Sequence, residues 1–168
     1  VNERDASYVD FVAAHQDRLR RIAYAVCGDD NRAEDVLQDA FVKLYLSWSK
    51  VREAGREEAY ARRIIVNADL DDRRRPWLRR RATTGVDHLE RAAAAPGLPV
   101  EDRSDLLAAV RRLPAMQRRV VVLRHWLGLS VAETAEELGI REGTVKSHAS
   151  RGLASLRAVL DEHAQVSR

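Results

Sequence analysis

Residues 130–156, SVAETAEELGIREGTVKSHASRGLASL, constrain the chain more than any other stretch. Ser130 and Glu133 have the spacing of a capping box, in which hydroxyl and carboxylate each satisfy an orphan N–H at a helix start. Ala132, Ala135 and Leu138 are expected to share one inner face. Gly139 stands where a helix end often needs left-handed backbone, and Ile140 plugs the turn. A second helix is predicted from Glu142 or Gly143, with Val145, Ala149, Leu153 and Leu156 as its inward stripe. Its opposite face carries Lys146, Ser147, Ser150 and Arg151. A helix-turn-helix presents a short, polar, basic face of this kind to a major groove. The alternative is an ordinary helical hairpin on the surface.

Charge divides along the chain. Residues 1–58 carry 9 Lys/Arg against 12 Asp/Glu, net −3; residues 59–100 carry 9 against 5, net +4; residues 101–168 carry 11 against 9, net +2. An acidic front and a basic middle suit two partners of different chemistry, one of them nucleic acid. Aromatics are 5% and Gly plus Pro only 12 of 168 residues, a profile of helices rather than sheets. Cys27 is the single cysteine, so no intrachain disulfide can form, as suits a reducing cytosol. The polar start, VNERDASYVD, is not a signal peptide, and no apolar run reaches the ~20 residues of a membrane span. The expectation is a cytoplasmic protein.

The first helix is predicted over 4–27, on a stripe of Tyr8, Phe11, Val12, Leu19, Ile22, Ala23 and Val26. His15 and Cys27 fall within that register and read as packing residues. The second helix spans 32–48, capped by Asn31 or Asp30 with Glu34 completing a box. Its inner face holds Ala33, Val36, Leu37, Ala40, Phe41, Leu44, Tyr45 and Trp48. Glu34, Asp35 and Asp39 fall within two turns, either as a solvated face or as a dock for a basic partner. Residues 49–58 read as a polar loop. A third helix, 58–75, carries Tyr60, Ala61, Ile64, Ile65 and Ala68, interrupted by the polar Asn67. Eight arginines fall in the twenty residues 62–81, a cluster suited to phosphate. Residues 82–100 lose periodicity and read as a linker. The second domain packs a helix ending at Leu113, another over 115–127, and the helix-turn-helix.

No constellation carries chemistry. The five histidines lack metal-ligand spacing, and there is no phosphate loop or nucleophile elbow. The chain is therefore read as a non-enzyme with no cofactor, no metal and no small-molecule substrate.

Three blocks, in order, resemble the extracytoplasmic-function sigma factors of bacterial RNA polymerase. AEDVLQDAFVKLY, 33–45, is similar to the family's polymerase-binding helix. YARRIIVNADLDDRRR, 60–75, is similar to its promoter −10 helix. Residues 113–157, from LPAMQRR to RGLASLR, are similar to its −35-reading domain. The resemblance implies an all-α chain of two small helical domains: region 2 over 1–81, a flexible linker over 82–100 and region 4 over 101–168. It implies core RNA polymerase and promoter DNA as partners, and an anti-sigma factor. Asp35, Gln38, Asp39 and Phe41 match the motif that docks on a coiled coil of the polymerase's largest subunit. In the −10 helix, Ile64 and Asn67, with the Lys50–Glu58 loop, match the pocket for a flipped base, and Arg62, Arg63, Arg73 and Arg74 the phosphate contacts. Arg141, Thr144, Lys146, Ser147, His148 and Arg151 match the −35 positions. Two residues depart from the family: His148 replaces an Arg, and Ala149 a larger aliphatic.

A rival is a response-regulator-type transcriptional activator, whose DNA-binding helix GTVKSHASRGLASL also resembles. That class needs an α/β receiver domain, against which the helical periodicity of residues 1–80 stands. A recombinase would need a nucleophile beside clustered arginines, and Tyr60 next to Arg62 and Arg63 is its only imitation.

Overall fold

The computed structural model describes residues 2–73 and 100–166, with side chains for 2–68, 105–162 and 165. The chain divides into two compact units, Val1–Asp87 and His88–Arg168. Every regular element among the described residues is helical. The expected linker up to residue 99, and the arginines from Arg74 to Arg81, lie outside the described residues.

The first unit is built on two long antiparallel helices. Helix α1 runs Glu3–Cys27, capped by the Asn2 side chain and closed by Gly28 in the left-handed region at φ 72°. Helix α2 runs Asp30–Leu46. Its cap is Asp29, one residue before the expected pair, whose Oδ1 accepts from Arg32 N at 2.9 Å. Glu34 does not complete a capping box. It turns toward α1, where the Tyr24 hydroxyl donates to it at 2.6 Å and Arg20 Nε at 3.2 Å. The acidic face is thereby reduced to Asp35 and Asp39.

Leu19, Ile22 and Val26 of α1 meet Leu37 and Leu44 of α2, all nearly solvent-free. Helix α4, Glu57–Arg73, closes this core with Ala61, Ile65 and Val66. Each of these Leu, Ile and Val side chains contributes roughly 1.5–3 kcal/mol on burial. Cys27 is buried among them. At the other end of α1 the rings gather: Tyr8 stands edge-on to Tyr45 and Trp48, and Phe11 stacks on His15 at 4.2 Å. His15 Nδ1 lies 2.9 Å from the Phe11 carbonyl, so this histidine packs its own helix. Residues 49–53 are not loop, and Trp48 does not belong to α2. Together they form the short helix α3, Trp48–Glu53, anchored by buried Trp48 and Val51.

The second unit contains α5 (Val100–Arg112), α6 (Ala115–Val121), a π-helical turn over Val122–Trp126, α7 (Val131–Leu138) and α8 (Glu142–Val166). The helix expected over 115–127 is thus α-helical only in its first half. The wider turn is locked from outside: Arg124 Nη1 donates to the Leu129 carbonyl, and Leu129 N to the Leu123 carbonyl at 2.9 Å. Buried Arg118 donates from Nη1 to the Arg111 and Leu113 carbonyls, satisfying orphan acceptors at the end of α5.

The capping box is present in both directions. Glu133 N donates to Ser130 Oγ at 3.1 Å, and Ser130 N to Glu133 Oε2 at 2.7 Å. Gly139 is left-handed at φ 65°. The inner face of α7 is Thr134, Ala135 and Leu138; the expected Ala132 is exposed. In α8 the buried stripe is Val145, Gly152 and Leu156, with Ala149 half-buried. Leu153, placed inward by its hydropathy, is 40% exposed.

Candidate functional site

Helix α2 turns one continuous strip outward. Asp35, Gln38 and Asp39 are exposed, and the same strip continues through Val42 (58% exposed) and Leu46 (73%). At 100° per residue these five side chains fall within about a quarter of the helix circumference. An acidic half thus runs into an apolar half, a surface suited to a basic partner with an apolar shoulder. Asp39 also holds Lys43 at 3.1 Å, an exposed i,i+4 pair of small worth. Phe41 is half-buried on the flank, and its carbonyl accepts the Tyr8 hydroxyl at 2.8 Å. Val42 and Leu46 carry no polar signal, and only their exposure reveals them.

On helix α4, Ile64 and Asn67 are half-buried and fall within about 60° of each other around the helix, while half-buried Arg62 stands roughly opposite and Arg63 is exposed. Ile65 and Val66, between Ile64 and Asn67 in sequence, are buried. An apolar side chain three residues before an amide can offer a face for stacking and an edge for hydrogen bonding. Of the loop expected over Lys50–Glu58, only residues 54–56 lie between helices. Gly55, at φ 62°, makes that tight connection. Tyr60 is committed to structure, its hydroxyl 3.1 Å from Ser47 Oγ. Arg73 belongs to α4, and Arg74 lies outside the described residues.

Arg141, just before α8, and Thr144, Lys146, Ser147, Ser150 and Arg151 in its first turns are exposed. The free N–H groups of a helix start favour phosphate there. His148 is half-buried, and its Nδ1 is enclosed without a hydrogen-bond partner among the described residues. Buried Val145 and the capped α7 fix the helix from behind. The arrangement offers cations and hydroxyls on a rigid rod, the requirement for entering a groove.

Among the described residues no group of three or more His, Cys, Asp or Glu is placed to hold a metal ion, and no helix is long and apolar enough to cross a membrane.

Residues 11–83 match the family model for sigma-70 region 2, and residues 103–156 that for sigma-70 region 4. An RNA polymerase sigma-E factor of Streptomyces avermitilis is 36% identical over 157 residues, covering 92% of this chain and 85% of that one. The ECF RNA polymerase sigma factor SigM of Mycobacterium tuberculosis is 34% identical over 159 residues, covering 87% and 73%. The fold is shared with the sigma factor RpoE of Bartonella quintana, solved in complex with the anti-sigma factor NepR, at TM-score 0.69 and 22% identity over 92% of this chain and 97% of that one. It is also shared with CnrH, solved with the cytosolic domain of CnrY, at TM-score 0.60 and 24% identity over 94% and 90%. With an all-helical first unit, the receiver domain of a response regulator has no place in residues 2–73. The chain belongs to the extracytoplasmic-function (ECF) RNA polymerase sigma factors.

Proposed function

We propose that this sigma factor divides promoter recognition between its two units. Asp35, Gln38, Asp39 and Phe41 on α2 dock on core RNA polymerase. Ile64 and Asn67 on α4 receive an unpaired −10 base, with Arg62, Arg63, Arg73 and Arg74 on the flanking phosphates. Arg141, just before α8, and Thr144, Lys146, Ser147, His148 and Arg151 on α8 read and hold the −35 element. In this assignment residues 1–81 form the polymerase and −10 domain, 101–168 the −35 domain, and 82–100 set their separation. Binding energy does the work: capture of the unpaired base stabilises strand opening, and no catalytic group or cofactor is needed. The site of action is the cytoplasm, where polymerase and promoter meet. RpoE of Bartonella quintana and CnrH are each held by a partner protein, and a corresponding anti-sigma factor is proposed here.

The observation that carries this reading is the region 2 unit with its outward acidic strip, followed in one chain by the region 4 unit with its doubly capped helix-turn-helix. The test mixes the chain with core polymerase and a randomised promoter library and sequences the transcript starts. Starts sharing two upstream elements support the reading. No promoter-specific starts, from polymerase that another sigma factor activates, would overturn it.

A further inference from the structure

Gly152 lies in the middle of α8, six residues after Lys146 and next to Arg151, yet on the opposite, buried side. Glycine is the poorest helix former after proline, so its presence in a helix interior needs a reason. The reason is contact. A Cβ built on Gly152 would stand 2.7 Å from Val121 Cγ2 and 3.6 Å from Gln117 Cβ and the Gln117 carbonyl. The backbone of α8 therefore rests directly on the last turn of α6. Val121 cannot easily yield. It is β-branched and stiff at χ1, 95% buried, and leads straight into the π-helical turn. Reaching the 3.4 Å of ordinary contact requires a displacement of about 0.7 Å, shared between α8 and α6.

We infer that Gly152 is a positioning residue for −35 recognition. It sets how closely α8 seats on α6, and so where Lys146, Ser147 and Arg151 stand relative to a groove. This rests on the assignment of those three side chains to −35 DNA. A rigid helix transmits a shift at one turn to its neighbours, and base-edge hydrogen bonds tolerate only tenths of an ångström.

The experiment uses the full chain with core polymerase and one promoter recovered from the library, with its −35 element intact or scrambled. Wild type, Lys146→Ala, Gly152→Ala, Val121→Ala and the Gly152→Ala/Val121→Ala double variant are compared. The readouts are −35 discrimination, polymerase affinity and thermal unfolding. Gly152→Ala is expected to lose about tenfold in discrimination, the worth of one good base contact, while polymerase affinity stays within about twofold. The double variant, which removes Val121 Cγ2, is expected to recover discrimination. Full discrimination in Gly152→Ala overturns the inference. So does a folded double variant that recovers none, or a Gly152→Ala chain whose second unit unfolds, which would make Gly152 plain packing. If Lys146→Ala discriminates as wild type does, the recognition assignment falls and the inference with it. If Lys146→Ala loses discrimination while Gly152→Ala keeps it, only the inference falls.

Discussion

The two units differ in how far apart in sequence their hydrogen-bonded side chains and partners lie. In residues 2–73 several side-chain bonds join separate helices, beside local ones such as His15 to the Phe11 carbonyl. Trp48 Nε1 donates to Ser7 Oγ, Tyr8 to the Phe41 carbonyl, Arg4 to the Tyr45 carbonyl and Tyr24 to Glu34. In residues 100–166 the side-chain bonds of Arg118, Arg124 and Thr134 span seven residues or fewer. Arg118 reaches the end of α5, Arg124 the turn before α7, and Thr134 the Ser130 carbonyl four residues back. The first unit is thus one cooperative network whose exposed α2 strip depends on α1. The second is a series of fixed turns that aim α8.

The largest expected effect that sharpens this contrast is in the first core. Leu37, 2% exposed, is expected to cost about 2–5 kcal/mol when cut to Ala. Calorimetry should show the first unit's transition fall while the second unit's stays. Equal movement of both would deny their independence.

Alkaline pH offers a second division, because all four tyrosines lie in the first 60 residues. Burial, then the hydrogen bond to Glu34, pushes Tyr24 from 10.0 up to about 12. The unfolded chain loses this proton first, so the contribution is full below pH 10 and is lost as pH rises toward 12. Stability of the first unit, followed by urea unfolding at each pH with Trp48 as the only tryptophan (Trp77 and Trp126 replaced by Phe), should fall in that window. Tyr24→Phe should flatten the fall, and an unchanged slope would place the proton elsewhere.

Ser130→Ala should cost about 1 kcal/mol, in the second unit alone, by removing the hydroxyl half of the capping box. Urea unfolding checks it. A loss spread over both units would contradict local control. The smallest effect concerns Lys43. Lys43→Ala frees Asp39 from an exposed pair and should change polymerase affinity by a few tenths of a kcal/mol, toward tighter binding. Titration of labelled protein with core polymerase measures it, and weaker binding would mean that Lys43 itself contacts the partner.

The same contrast explains what could be read from the sequence. The capping box at Ser130–Glu133, left-handed Gly139 and the α2 core residues Ala33, Val36, Leu37, Ala40 and Leu44 are local and legible from spacing, whereas Tyr45, expected on that inner face, is 38% exposed. Departures arise where a distant partner decides. Glu34 looked like a cap residue until Tyr24 and Arg20 claimed it. Six residues are too few to show a period, so α3 read as loop although Trp48 and Val51 anchor it. Hydropathy placed Leu153 inward, but the inward position belongs to Gly152, whose lack of a side chain is its role. Asn67 was visible as a polar break in an apolar helix, whereas Val42 and Leu46 gave no signal before their exposure was seen.

The division of labour between α4 and α8 is tested most directly by mapping transcript starts from one randomised promoter library with wild type, Asn67→Ala and Lys146→Ala. Asn67→Ala should relax the sequence preference at the −10 element alone, and Lys146→Ala at the −35 element alone, each by about 1–3 kcal/mol at the affected position. Loss of both preferences in either variant, or of neither in both, would contradict the account.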